Sequence, residues 1–134
     1  MQANIYISFS GKVIHGKKIG RTIGFPTLNI AVSQGEIPND GVYIVQIFIK
    51  SRLHFGIMSI GNRPTFADKN HKTVEIHILN ISDDFYECQV DITPLYYIRE
   101  NIKFSSVDDL KQQLQQDKEF ANNFIERKIL SLKE

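Results

Sequence analysis

In the segment "FPTLN", Thr27 and Asn29 stand two residues apart behind Pro26, so on an extended backbone both side chains leave from one face. A hydroxyl and an amide carbonyl side by side are hard oxygen donors. Mg²⁺ takes few such protein ligands and completes its shell with water and substrate phosphates, so the pair suits a metal-nucleotide complex. The alternative is a Thr and an Asn that satisfy their own turn. Just upstream, Gly16, Gly20 and Gly24 recur at four-residue intervals, which fits neither a helix nor a strand but suits an arching loop. Glycine lets the backbone approach a ligand and turn successive N–H groups inward, forming a concavity for anions. Lys12, Lys17, Lys18 and Arg21 lie in the same stretch with no acid among them. The loop carries no Gly-x-Gly-x-x-Gly and no Gly-Lys-Ser/Thr, so neither standard phosphate fingerprint applies, and a loop that only turns corners remains open.

A second group lies in "TVEIHIL". Alternation sends Val74, Ile76 and Ile78 to one face and Thr73, Glu75 and His77 to the other. A carboxylate at Glu75 can orient or deprotonate a hydroxyl, or it can be an ordinary solvent-facing strand residue. His77 is equally open. Further on, "YYIRENIKF" gathers Tyr96, Tyr97, Arg99 and Phe104, which offer stacking surface and a cation to a flat ring, or simply pack a barrel rim.

These residues must be held by elements that the rest of the pattern predicts. The first two-thirds are rich in β-branched and aromatic residues punctuated by turns, with candidate strands at 4–14, 41–50, 53–60, 73–79 and 85–98. "IPNDG" at 37–41 reads as a turn, "IKSRLH" at 49–54 as a hairpin connection and "IGNRPTF" at 60–66 as a loop. From Ser105 the period changes. Val107, Leu110, Leu114, Ala121 and Phe124 fall at helical intervals, with Ser105 or Ser106 as N-cap and Asp108 and Asp109 in the first turn. Short strands followed by one terminal helix exclude a parallel βαβ sheet. They predict an antiparallel barrel over about 4–104 with a helix over about 106–131 packed outside, since closure removes strand edges.

Composition narrows the rest. The 134 residues fit one domain able to bury an ordinary core without staples. Cys88 stands alone and cannot form an internal bridge, and four scattered histidines give no zinc-type spacing. Sixteen basic against fifteen acidic residues leave a net charge of +1, which does not support nucleic-acid binding. "MQANIYISFS" lacks the basic and apolar regions of a secretory signal, and no segment approaches a membrane span, so a soluble cytoplasmic protein is expected.

Taken in order, "GKVIHGKKIGRTIGFPTLNI", "GVYIV", "SIGNRPTF", "VEIHIL", "DFYECQV" and "IRENIKFSSVDDLKQQLQQD" resemble the riboflavin kinase (flavokinase) family from about Tyr6 to Ala121. The resemblance implies a six-stranded antiparallel barrel with a C-terminal helix. It implies transfer of the γ-phosphoryl group of Mg·ATP to the 5′-hydroxyl of riboflavin, giving FMN and ADP. By the same resemblance the loop with Gly16, Gly20, Arg21 and Gly24 covers the nucleotide phosphates, and Thr27 and Asn29 bind Mg²⁺. Glu75 faces the riboflavin hydroxyl, Asn80 and Tyr86 belong to the nucleotide side, Arg99, Ile102 and Phe104 to the flavin side, and Ile78 is a further ligand-binding residue. Two positions depart from the family pattern: Asn80 stands where Asp is common and Glu87 where Gly is common. An FMN adenylyltransferase domain in a longer parent chain is compatible with the resemblance. The competing reading is a flavin- or nucleotide-binding regulatory barrel with little turnover.

Overall fold

The computed structural model describes residues 6–15, 24–64, 70–81, 83 and 85–132. Six strands, β1 (Phe9–Ile14), β2 (Leu28–Gln34), β3 (Gly41–Ile49), β4 (Arg52–Pro64), β5 (Asn70–Ile78) and β6 (Gln89–Arg99), precede one helix, α1 (Val107–Leu132). The strands close in the order β1-β2-β5-β4-β3-β6, with every neighbouring pair antiparallel. Closure follows from the composition: each strand has an apolar row to bury, β3 being covered on both faces over residues 41–45, and a barrel pairs every strand on both sides.

The interior is built by alternation. Tyr43, Val45, Ile47 and Ile49 of β3 point inward with Met58 and Ile60 of β4 and Val74, Ile76 and Ile78 of β5. Tyr43 also donates its hydroxyl to the Asn39 carbonyl at 2.6 Å. Burial, with Tyr6, Tyr97 and Asp40 as lesser contributors, raises its pKa above the ordinary tyrosine value. The β3–β4 connection is the predicted hairpin, a two-residue turn in which Lys50 and Ser51 take φ values of 51° and 63°. Both signs match a turn twisted with the strands, although neither residue is the usual Asn or Gly.

Four strand expectations change. Residues 28–34, given no strand by periodicity, form β2. Its burial alternates only over Leu28–Ile30 and then turns exposed through Gln34, which hides the period. The predicted loop at 60–66 is strand as far as Pro64. β3 begins at Gly41 opposite Ile60, so among the described residues the last four positions of β4 pair with β5 alone, where a proline forfeits no ladder bond toward β3. β6 starts at Gln89 rather than 85, because Phe85 and Glu87 take φ values of 45° and 65° in a turn. Within the predicted strand 4–14, residues 6–8 are not strand and β1 begins at Phe9.

Residues 1–101 and 102–134 are two compact units. In the second, Ser106 is the N-cap: its hydroxyl accepts the Asp109 N–H at 3.1 Å, and Ser105 donates to the Asp109 carboxylate at 3.0 Å. The buried stripe of α1 is Asp117, Ala121 and Ile125, one helical face at four-residue spacing. Of the apolar positions expected to define that face, Ala121 lies on it, whereas Val107 is 59% exposed and Ile125 is buried in place of Phe124.

Candidate functional site

The strand register gathers the predicted chemistry into a row on the outer wall of the barrel. Asn29 of β2 sits directly opposite Glu75 of β5, and Glu75 sits opposite Ser59 of β4. The row continues from Ser59 to Val42 of β3 and from Val42 to Arg99 of β6. Asn29, Glu75, Ser59 and Val42 face outward, because their strand neighbours (Leu28 and Ile30, Val74 and Ile76, Met58 and Ile60, Tyr43) fill the interior; Asn29, Glu75, Ser59 and Arg99 are half-buried, whereas Val42 between Ser59 and Arg99 is buried, at 4% exposure. Directly opposed residues hold their Cβ atoms about 4.5–5.5 Å apart. The Asn29 amide and the Glu75 carboxylate are therefore neighbours fixed by backbone ladders on both sides of Glu75.

Thr27 precedes β2 and is half-buried. Its segment is held from the opposite strand: His77 Nδ1 lies 2.8 Å from the Pro26 carbonyl, and the Phe25 and His77 rings stand 5.6 Å apart. A carbonyl can only accept, so Nδ1 carries the proton in this bond. His77 thus pins the Pro-Thr segment beside the row, a role that reading the sequence left open. The signal was present: Thr27 lies two residues before Asn29 and His77 two after Glu75, so pairing Asn29 with Glu75 brings Thr27 and His77 to the same place.

Around the loop that carries the glycines, Gly24 is described and takes φ 86°, the left-handed region; a Cβ built there meets nothing within 4 Å. Gly16, Gly20 and Arg21 lie outside the described residues. At the near side of the loop, the turn at Phe85–Cys88 is tied to β1 by two backbone bonds, Val13 N–H to the Cys88 carbonyl and Glu87 N–H to the Val13 carbonyl, each 3.0 Å. His15 stacks on Tyr86, with ring centroids 3.6 Å apart and planes 23° from parallel. His15 was not singled out by the sequence, since nothing in its neighbours announces a partner seventy residues away.

Ile78 ends β5, and Asn80 lies in the turn after it. The Ile78 side chain belongs to the interior cluster, which leaves its backbone as the part open to a ligand. Asn80 is exposed with φ 65°. Asn enters that conformation more readily than most residues, and Glu87, also at φ 65°, does so against its preference. The two departures from the family pattern are thus both backbone positions where a small or turn-forming residue is favoured. On β6, Arg99 donates from Nη1 to the Glu100 carbonyl at 3.1 Å. In the second unit, Ile102 is exposed and Phe104 half-buried.

Among the described residues no group of three or more His, Cys, Asp and Glu comes together. A cation at this site would rest instead on the hydroxyl and amide oxygens of Thr27 and Asn29, with phosphate oxygens completing its shell. That oxygen-only set fits Mg²⁺ and not a soft metal.

A family model described as riboflavin kinase matches residues 3–125. The bifunctional riboflavin kinase/FMN adenylyltransferase of Haemophilus influenzae is 43% identical over 115 residues, 85% of this chain and 37% of that protein. The chain therefore spans little more than a third of the length of this curated relative. Among solved structures, a chain titled macrolide-efflux protein from Streptococcus pneumoniae superposes with a TM-score of 0.82 at 35% identity, over 88% of this chain and 39% of that one. A riboflavin kinase from Trypanosoma brucei superposes with a TM-score of 0.63 at 22% identity, covering 93% and 83% of the two chains, a likeness of fold.

Proposed function

This chain belongs to the riboflavin kinase family, and we propose that it transfers the γ-phosphoryl group of Mg·ATP to the 5′-hydroxyl of riboflavin, releasing FMN and ADP. The observation that carries the reading is the direct opposition of Asn29 and Glu75 on one wall of the barrel. It sets a candidate metal ligand beside a candidate proton acceptor, the two groups this transfer needs within one phosphate's reach.

In this scheme Thr27 and Asn29 would hold Mg²⁺, which would supply compensation for the phosphate charge. The His77 bond to Pro26 keeps Thr27 from swinging away from Asn29. The Glu75 carboxylate accepts a hydrogen bond from the riboflavin 5′-hydroxyl and aims its oxygen at the γ-phosphorus. As the new P–O bond forms, the bond to the β–γ bridging oxygen breaks, ADP leaves with that oxygen, and the hydroxyl proton passes to Glu75. A loose transition state asks the protein for alignment and charge compensation more than for a strong base. Gly24, in the left-handed region, lets the backbone come close to the phosphates, and Tyr86 borders the nucleotide with Asn80. Arg99 ends the row three strand spacings from Glu75, about 14 Å along the wall. A molecule with a hydroxyl at the end of a polyol chain and a three-ring system at the other is long enough to touch both Glu75 and Arg99, with Val42 between them buried and out of its reach.

The H. influenzae relative is named for a second activity on FMN, and a longer parent chain with such an adenylyltransferase domain would use the product made here. A cytoplasmic location is part of the same proposal; among the described residues no helix is long and apolar enough to cross a membrane.

Incubation with riboflavin and Mg·ATP, read by mass, tests the reaction: FMN is expected, whereas flavin binding without a mass gain would make the chain a regulator. Glu75→Gln keeps shape and removes the proton acceptor. Its kcat is expected to fall roughly 10²–10⁴-fold with both substrates still bound. Full turnover in the folded variant would take Glu75 out of the reaction.

A further inference from the structure

Past Gly41 the wall has a gap in its ladder, because β4 continues to Pro64 while β3 has ended. Asn101 fills its first position from the far side. Its side-chain Nδ2 donates to the Ile60 carbonyl at 2.9 Å, and a Cβ on Gly61 would meet that same nitrogen at 3.6 Å. Asn101 thus reaches over the start of β3 from the end of β6, and lands on β4 one residue beyond Ser59, the partner of Glu75. It is also the last residue of the first compact unit.

We propose that Asn101 is a positioning residue for riboflavin: its amide fixes the end of β6, and with it Arg99, at a set distance from Glu75. The inference rests on the reading that riboflavin meets Glu75 at one end and Arg99 at the other. Only Glu100 separates Arg99 from the tether, and the strand before Arg99 is not regular, since the β3–β6 register shifts between Val42 and Tyr43, whose partners are Arg99 and Tyr97. A bulged strand end is re-aimed easily, and a cross-wall bond to a rigid neighbour removes that freedom. Ile60 is such a neighbour, fully buried and paired on both sides. Asn101 itself is exposed, so its bond adds little to global stability while still ordering what lies next to it. The nucleotide groups on β2 and in the Gly24 loop lie at the other end of the row and do not depend on it.

Two variants test this. Asn101→Asp keeps the shape but presents a carboxylate oxygen to the Ile60 carbonyl; Asn101→Ala removes the group. The riboflavin KM is expected to rise about three- to tenfold in both, the range one net hydrogen bond can supply, with kcat and the Mg·ATP KM within twofold of the parent. Amide exchange at residues 97–101 of the ligand-free protein should quicken, and Tm should move by only a few degrees. A role confined to stability would lower Tm and leave the riboflavin KM alone, which overturns the proposal. Equal losses toward both substrates would also overturn it. An unaltered protein that makes no FMN sinks the reading beneath it, whereas an active parent with unchanged variants sinks the Asn101 role alone.

Discussion

Gly24 allows backbone strain and ligand space to be separated. Its φ of 86° penalises any L side chain, yet a Cβ there meets nothing within 4 Å. Gly24→Ala therefore costs stability through the backbone only, about 1 kcal/mol, which for a domain of this size lowers Tm by roughly 3–6 °C. Gly24→Asn is bulkier but enters the left-handed region more readily, so its stability cost should be smaller. The order of nucleotide effects should be reversed. If the loop brings its backbone against the phosphates, the space beyond the Gly24 Cα belongs to ATP, and the larger Asn obstructs it more than Ala does. Thermal unfolding and the Mg·ATP KM at saturating riboflavin are measured on both variants. The expected result is a Tm order of Gly, Asn, Ala and a KM order of Gly, Ala, Asn, with the Asn variant raised about tenfold or more. Both variants keeping their Mg·ATP KM within twofold would mean the loop end stands clear of the phosphates. A KM that tracked Tm would mean that strain alone accounts for the loss.

Two further tests bear on the wall and its turns. Thr27→Ala and Asn29→Ala should each weaken Mg·ATP use, and the double variant should be little worse than either single one, because both oxygens serve one ion; a Mg²⁺ titration of activity showing additive, small effects would return them to turn residues. Glu87→Gly should raise Tm by a few degrees, since at φ 65° the loss of the side chain relieves about 1 kcal/mol of strain. An unchanged or lower Tm would show that the turn tied to Val13 relies on the Glu side chain.

The parts of the fold visible in the sequence are those where burial is periodic. β5 alternates cleanly, with Val74, Ile76 and Ile78 inside and Thr73, Glu75 and His77 outside, so both the strand and the outward face of Glu75 followed from spacing. β2 was legible only as two side chains sharing a face. Once Ile30 is placed, Ala31 through Gln34 are all exposed and no apolar rhythm remains. The far end of β4 carries Gly61, Asn62 and Pro64, residues that favour turns, and it is held as strand by pairing that a single-strand pattern cannot announce. The same limit applies to the site. Thr27, Asn29 and Glu75 were identifiable as chemistry. That Asn29 faces Glu75, that His77 holds Pro26 and that Asn101 reaches Ile60 are facts of register across forty or more residues, and register is set by the whole barrel.

That origin divides the site into two kinds of residue. Asn29, Glu75 and Ser59 sit inside backbone ladders, so their spacing cannot change without breaking strand pairs; groups held this way suit the step in which small errors of alignment are most costly. Gly24, Tyr86 and Arg99 stand where strands end, in a loop, a turn and an irregular strand terminus; Tyr86 is held by the His15 stack and the backbone bonds of its turn to Val13, and Arg99 by the Asn101 bond two residues beyond it. Such positions can yield to admit a ligand and tighten around it. The two kinds should therefore separate kinetically. Substitutions in the ladder should act on kcat, and those at the strand ends on KM, with the nucleotide and the flavin affected independently because their anchors lie at opposite ends of the row.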